Sequence, residues 1–196
     1  MSSREKILRS AQDLFHQVGY RAASVDLIVQ TCGVAKSNFY YHFKTKDDLV
    51  SAVFDLQAAE YERFVANTLH NHILSPTTRL ERFCEAVEKT QSGSNAYAGC
   101  PLGNLAATLG SGEEDERAEM YREKLCAFFD HLERCIADCL QEGVDRGEFR
   151  NDIAPQELSA LLLASMQGLL MMTKTRRREE TLRAGLRVTI RLLQDR

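Results

Sequence analysis

The chain has little of what builds sheets, spans membranes or staples secreted domains. Three prolines, at 76, 101 and 155, interrupt its 196 residues, and alternating β-branched runs are scarce, so strands have few footholds. No stretch reaches the ~20 uncharged apolar residues that a bilayer span requires. The opening MSSREKILRSAQDLF scatters charge through its apolar positions and does not read as a signal peptide, so a cytoplasmic protein without membrane attachment is expected. No CxxC pair accompanies the six cysteines (32, 84, 100, 126, 135, 139), which argues against a zinc ribbon or a thioredoxin-like site. Reduced thiols follow as the default. No Ser–His–Asp order stands out and no glycine-rich phosphate loop follows a strand, so neither an enzyme nor a cofactor is expected.

What is present is helix. Apolar residues make up 44% and charged residues 27%, ample material for a core. Ile7, Leu8, Ala11, Leu14, Phe15 and Val18 follow helical spacing, with Ser3 as expected cap and an incomplete capping box at Lys6. Ser24 caps a second short helix, Gly33 breaks it from a third, and Thr45 opens a long one read from Lys46 to about Leu74. Further helices are expected over 79–90, 102–109, 117–147 and 156–173, with a last one after the basic run Lys174 to Arg178. The least regular stretch is SGSNAYAGCPLGN (92–104), and GSGEEDE (110–116) reads as a second polar loop.

The helix at 156–173 is apolar almost all round, more than one small chain readily covers. It and the last helix are expected to pair with their copies in a homodimer; packing inside the monomer is the alternative.

Chemistry concentrates in Ser24–Lys46, SVDLIVQTCGVAKSNFYYHFKTK. The third helix and its flanks carry Lys36, Ser37, Asn38, Tyr40, Tyr41, His42, Lys44 and Lys46, all hydrogen-bond donors, whereas Phe39 and Phe43, four apart, face inward. Such a surface suits the edges and phosphates of DNA. The net charge of −3 divides unevenly. Residues 1–50 hold seven Lys/Arg against five Asp/Glu, and the remainder 18 against 23, so the DNA-facing end is the positive one.

Residues 7–49, with F15HQVGY20 and S24VDLIVQTCGVAKSNFYYHFKTKDDL49, resemble the N-terminal signature of the TetR family of bacterial transcriptional regulators. Val29, Cys32, Ala35 and Ser37 depart from it; Ala35 lacks the hydroxyl that usually caps the third helix and reaches a phosphate. The resemblance implies an all-α protein: an N-terminal three-helix helix-turn-helix head (1–46) joined by a long helix to a C-terminal ligand-binding and dimerisation body (47–196). It implies a dimeric repressor bound to a palindromic DNA operator and released by a small molecule, electrophile or redox signal. By motif position, Ser24, Lys36, Ser37, Asn38, Tyr40, Tyr41, His42 and Lys46 would touch DNA. Asn38 and Lys36 are the candidates for base edges; Tyr40, His42 and Lys46 are candidates for phosphate.

Residues 99–107, GCPLGNLAA, are similar to a loop in the branch of that family containing YxaF, AcuR and NemR, some members of which respond to electrophiles through a cysteine there. That makes Cys100 the sensor candidate, a structural or pocket-lining thiol being the alternative. Phe64, Phe83, Leu102, Phe128 and Met166 are the expected ligand contacts. His131, Cys135 and Cys139 have metal-compatible spacing but read better as core cysteines beside a fringe histidine, and Cys84 and Cys126 as packing thiols. A ligand-independent interaction protein and a cysteine-dependent enzyme are the competing functions.

Overall fold

The computed structural model describes residues 1–92, 97–109 and 116–194, with the side chains of 108, 109, 116 and 117 left aside. Among the described residues every regular element is a helix: α1 (Ser3–Gln17), α2 (Val25–Cys32), α3 (Lys36–His42), α4 (Lys46–Asn67), α5 (Pro76–Thr90), α6 (Pro101–Leu109), α7 (Glu116–Asp145), α8 (Pro155–Arg176) and α9 (Glu179–Gln194). Of the expected loops at 92–104 and 110–116, residues 93–96 and 110–115 lie outside the described residues, and α6 takes up 101–104.

Two apolar cores divide the work. The smaller one gathers Ile7, Leu8, Ala11 and Leu14 of α1, Ile28 of α2, Phe39 of α3, Phe43 just beyond α3, and Leu49 and Val53 of α4. Each large side chain buried there is worth roughly 1.5–3 kcal/mol relative to exposure, so three short helices need those two residues borrowed from α4. The larger core runs through α4, α5, α6, α7, α8 and α9, with Phe83, Leu102, Ile136 and Leu162 fully enclosed. Of the last three helices, α8 packs against both α7 and α9.

Local chemistry sets the helix ends. α1 starts one residue earlier than expected: Ser2, not Ser3, is the cap, its hydroxyl accepting from the Glu5 amide while the Glu5 carboxylate accepts from the Ser2 amide. The box is complete because Glu5 stands three residues after Ser2. α2 ends on Gly33 at φ +65°, where the Val34 amide closes back onto the Val29 carbonyl at 3.1 Å. Ala35 provides no side-chain cap to α3, whereas Thr45 and Asp48 form a full capping box for α4.

The long helix stops at Asn67 instead of continuing to Leu74. The Thr68 hydroxyl donates to the Phe64 carbonyl at 2.8 Å, and the His70 amide folds back to the Val65 carbonyl. Leu69 drops into the body core at that turn, a gain that a straight helix would forfeit. Arg79 secures the following loop: almost fully buried, it donates to Glu142 of α7 at 2.6 Å and contacts the His72 ring at 3.0 Å. Pro76 begins α5 three residues before the expected start, its fixed φ suiting a first helical position.

All six cysteines are free thiols. Cys84, Cys135 and Cys139 are buried; Cys126 is exposed on α7, so its expected packing role is corrected: it falls outside the apolar stripe centred on Leu125, Leu132 and Ile136. The apolar girth of α8 is likewise divided. Leu158, Leu162, Leu163, Met166 and Leu170 point into the body, while Leu161 and Met171 stay open.

Candidate nucleic-acid interface and the seam behind it

The third helix is held by its inner face. Phe39 is completely buried, with Tyr40 edge-on at 5.2 Å and Phe43 at 5.9 Å. Anchoring at 39 and 43 turns 36, 37, 38, 40 and 41 to solvent. Lys36, Ser37 and Asn38 are exposed, as are Tyr40 and the still more open Tyr41. The His42 ring is half-buried, packed at 4.9 Å against Tyr41. The result is a convex polar face on a rigid apolar base, the shape that a DNA groove accepts.

Not every candidate is equally free. Lys36 Nζ is 2.7 Å from Asp26 of α2, and that hydrogen bond raises its pKa; an exposed pair of this kind exchanges readily for a phosphate or a base edge. Ser24 caps α2, its hydroxyl accepting from the Leu27 amide at 3.1 Å, which leaves the exposed helix start beside it. Lys46 is turned inward. Its ammonium donates to the Tyr20 carbonyl at 2.6 Å and lies over the Tyr20 ring, 4.2 Å from the centroid. Burial lowers its pKa, with Asp47 opposing. Tyr20 in turn donates to Asp47 at 2.7 Å, and Tyr121 of α7 donates to the Asp47 carbonyl at 2.9 Å, tying the start of α4 to the body.

A second constellation sits where α1 meets the body. The Gly99 carbonyl lies 2.7 Å from His16 Nε2 and also accepts from the Gln91 amide at 3.1 Å. A carbonyl only accepts, so His16 carries its hydrogen on Nε2. Burial lowers the His16 pKa, the Lys174 charge adds to this, and the Gly99 contact and Asp13 oppose it. Next in the chain is Cys100, buried at the start of α6; its Sγ receives the Gly103 amide at 3.3 Å and lies 3.8 Å from the Tyr61 hydroxyl. Burial and the adjacent thiol hold the Tyr61 phenol well above its usual pKa.

Of the expected ligand contacts, Cys100, Phe83, Leu102 and Met166 are buried members of the body core, and Phe64 and Phe128 pack against it. Tyr61 links them, its ring 5.1 Å from Phe128 and 6.2 Å from Phe64, which continues to Phe83 at 5.2 Å. Phe64 also lines a cavity of about 340 Å³ at the seam, together with His16, Gln57 and Tyr61. Gln57 and His16 escaped the sequence reading. Gln57 could have been found as a lone amide in the apolar run of α4; His16, beside Phe15 on an amphipathic helix, carries no such signal. His131 contacts Glu62 at 3.0 Å and the Cys135 thiol at 3.6 Å, and among the described residues no three metal-ligating side chains converge.

Two sequence families match the chain in tandem: "Bacterial regulatory proteins, tetR family" over residues 7–53 and "Tetracyclin repressor-like, C-terminal domain" over 76–189. The chain belongs to the TetR family of bacterial regulatory proteins, helix-turn-helix regulators that bind DNA. It is 28% identical to the HTH-type transcriptional repressor DhaR of Mycobacterium sp. (strain GP1) over 190 residues, 97% of this chain and 91% of that protein. It is 24% identical to the transcriptional regulator AcuR of Cereibacter sphaeroides, covering 93% and 81% of the two chains. In fold it is similar to regulatory protein TetR from Rhodobacter sphaeroides (TM-score 0.86, 23% identity, 96% and 97% covered). It is also similar to the reduced form of E. coli NemR (TM-score 0.80, 20% identity, 95% and 92% covered).

Proposed function

We propose that the protein is a dimeric repressor that binds a palindromic operator through α3 and lets go when its body takes up a small-molecule effector. The observation that carries the reading is the exposed polar row Lys36, Ser37, Asn38, Tyr40, Tyr41 fixed on buried Phe39 and Phe43. Asn38 and Lys36 read base edges; Ser24, Ser37, Tyr40, Tyr41 and His42 hold phosphates and sugar. Lys46 belongs to the DNA-contacting set by motif, but its inward ammonium favours a supporting part, fixing Tyr20 and the start of α4. Residues 1–46 act as the head and 47–196 as the body, which works where the chromosome is, in the cytoplasm.

Dimerisation is supported by the apolar side chains that α8 and α9 leave open, Leu161, Met171, Val188 and Leu192, each more than half exposed. Two heads at a fixed spacing supply the affinity that one small head lacks. The body aromatics and Cys100 are the parts of the effector machinery first in line to sense an electrophile. DhaR, a repressor by name, is a relative over nearly the whole chain and favours repression.

A duplex selected from a random library should be palindromic and bind with an affinity that falls steeply with salt. Asn38→Ala with Tyr41→Ala should remove specific binding while leaving helicity unchanged by circular dichroism. Undiminished binding by that double variant would overturn the assignment of α3.

A further inference from the structure

The cavity at the seam is bounded on one side by the head itself. Gln12, Asp13 and His16 come from α1, and they face Gln57, Tyr61 and Phe64 of α4. The Gln12 amide donates to Glu60 at 2.9 Å across the rim, a strut between the two helices. Deeper in, Gln57 is 94% buried, counting from its 6% exposure, and its amide is not sealed off inside the protein: it opens on the cavity. It lines both this cavity and a small void of about 20 Å³ behind it. A primary amide facing a cavity offers two donors and an acceptor to whatever fills it, water or ligand.

The inner wall carries no formal charge. Tyr61, Phe64 and Val87 are apolar surface capped by one phenol, and the buried His16 favours its neutral form. Asp13, Glu60 and Lys89 stand at the exposed mouth with mixed sign. An ion entering the interior would shed its water without meeting an opposite charge.

We propose that this cavity is the effector site, that it takes an uncharged amphipathic compound, and that an amide, hydroxyl or carbonyl of that compound pairs with Gln57 while a flat apolar body lies on Tyr61 and Phe64. The occupant touches α1 directly, so the signal reaches the DNA-binding unit without passing through the body core. The inference rests on the effector-controlled reading above and differs from it in place: of the sequence-expected contacts only Phe64 faces this cavity.

Benzamide, with benzoate and benzamidinium as its charged isosteres, tests the proposal by ligand-observed NMR on the full-length protein. Benzamide should bind with Kd on the order of 1 mM, fitting for so small a compound, and Gln57→Leu should weaken it about tenfold. Phe64→Ala supplies an independent arm should Gln57→Leu fold poorly, and it too should weaken benzamide. Three results would overturn the site or its chemistry: no benzamide binding, equal binding by the wild type and a folded variant, or either charged isostere binding as tightly as benzamide. Titration of Gln57→Leu with the operator duplex alone separates the two ideas. Intact DNA binding without benzamide discrimination defeats the cavity proposal and leaves the regulator standing, whereas a wild type that ignores every duplex defeats the regulator.

Discussion

Head and body solve the same packing problem at different scales. The head buries a small set of side chains around Phe39 and spends its outer surface on exposed polar groups; the body encloses some two dozen side chains and carries its polar groups inward, at Arg79, Gln91 and Gln57. A small core leaves little reserve, so the head's integrity hangs on single residues, whereas the body tolerates buried polarity because its apolar area is large.

The largest effect that would sharpen this contrast is a matched truncation. Phe39→Ala and Phe83→Ala each remove a fully buried ring and should each cost about 3–5 kcal/mol, read from denaturant midpoints. Only the first should abolish operator binding. A Phe39→Ala protein that binds DNA normally would show that the head does not depend on its own core.

Next in size is a pair of glycines needed for opposite reasons. A Cβ on Gly143 of the body would stand 2.1 Å from the Phe149 ring, so Gly143→Ala should destabilise by about 1–3 kcal/mol through overpacking. Gly33 of the head has open space around it but sits at φ +65°, so Gly33→Ala should cost about 1–2 kcal/mol through the backbone alone. Thermal unfolding with Phe149→Leu added should rescue the first; no trimming of neighbours should rescue the second.

The smallest effect lies between the two regions. Burial is the main cause that lowers the pKa of His16 below its ordinary 6.5, so the unfolded chain takes up a proton more readily than the folded one. The stabilisation from neutral His16 is complete above that value and fades as pH falls through the folded-state pKa. The stability gap between wild type and His16→Gln, followed by urea denaturation, should narrow on acidification; a gap that widens would mean that the ring is bound as a cation.

The same contrast governs what could be read from sequence. The head was legible because its signals are local: Ser24 as cap, Gly33 as left-handed turn and the Phe39/Phe43 spacing each act within a few residues. The body's helices were legible as helices, since their apolar spacing is strong. Their ends and contents were less so. The stop at Asn67 depends on Leu69 finding the body core, the exposure of Cys126 on which neighbours α7 meets, and the inward turn of Lys46 on a Tyr20 carbonyl 26 residues away. The pairing of His16 with Gly99 spans 83 residues. Such contacts leave no periodicity behind.

The α4 helix belongs to both cores, Leu49 and Val53 to the head's and Phe54 and Val65 to the body's, with no break between them. It therefore acts as a phase reference for anyone grafting a foreign head onto this body. A splice within α4 that gains or loses one residue turns the graft by about 100° and shifts it by about 1.5 Å, enough to misdirect α3 even if every residue of it is correct. Seven residues nearly restore the angle but lengthen the arm by about 10 Å, and so hold the head at a different distance from the body. The permitted chimeras are those that keep count along α4.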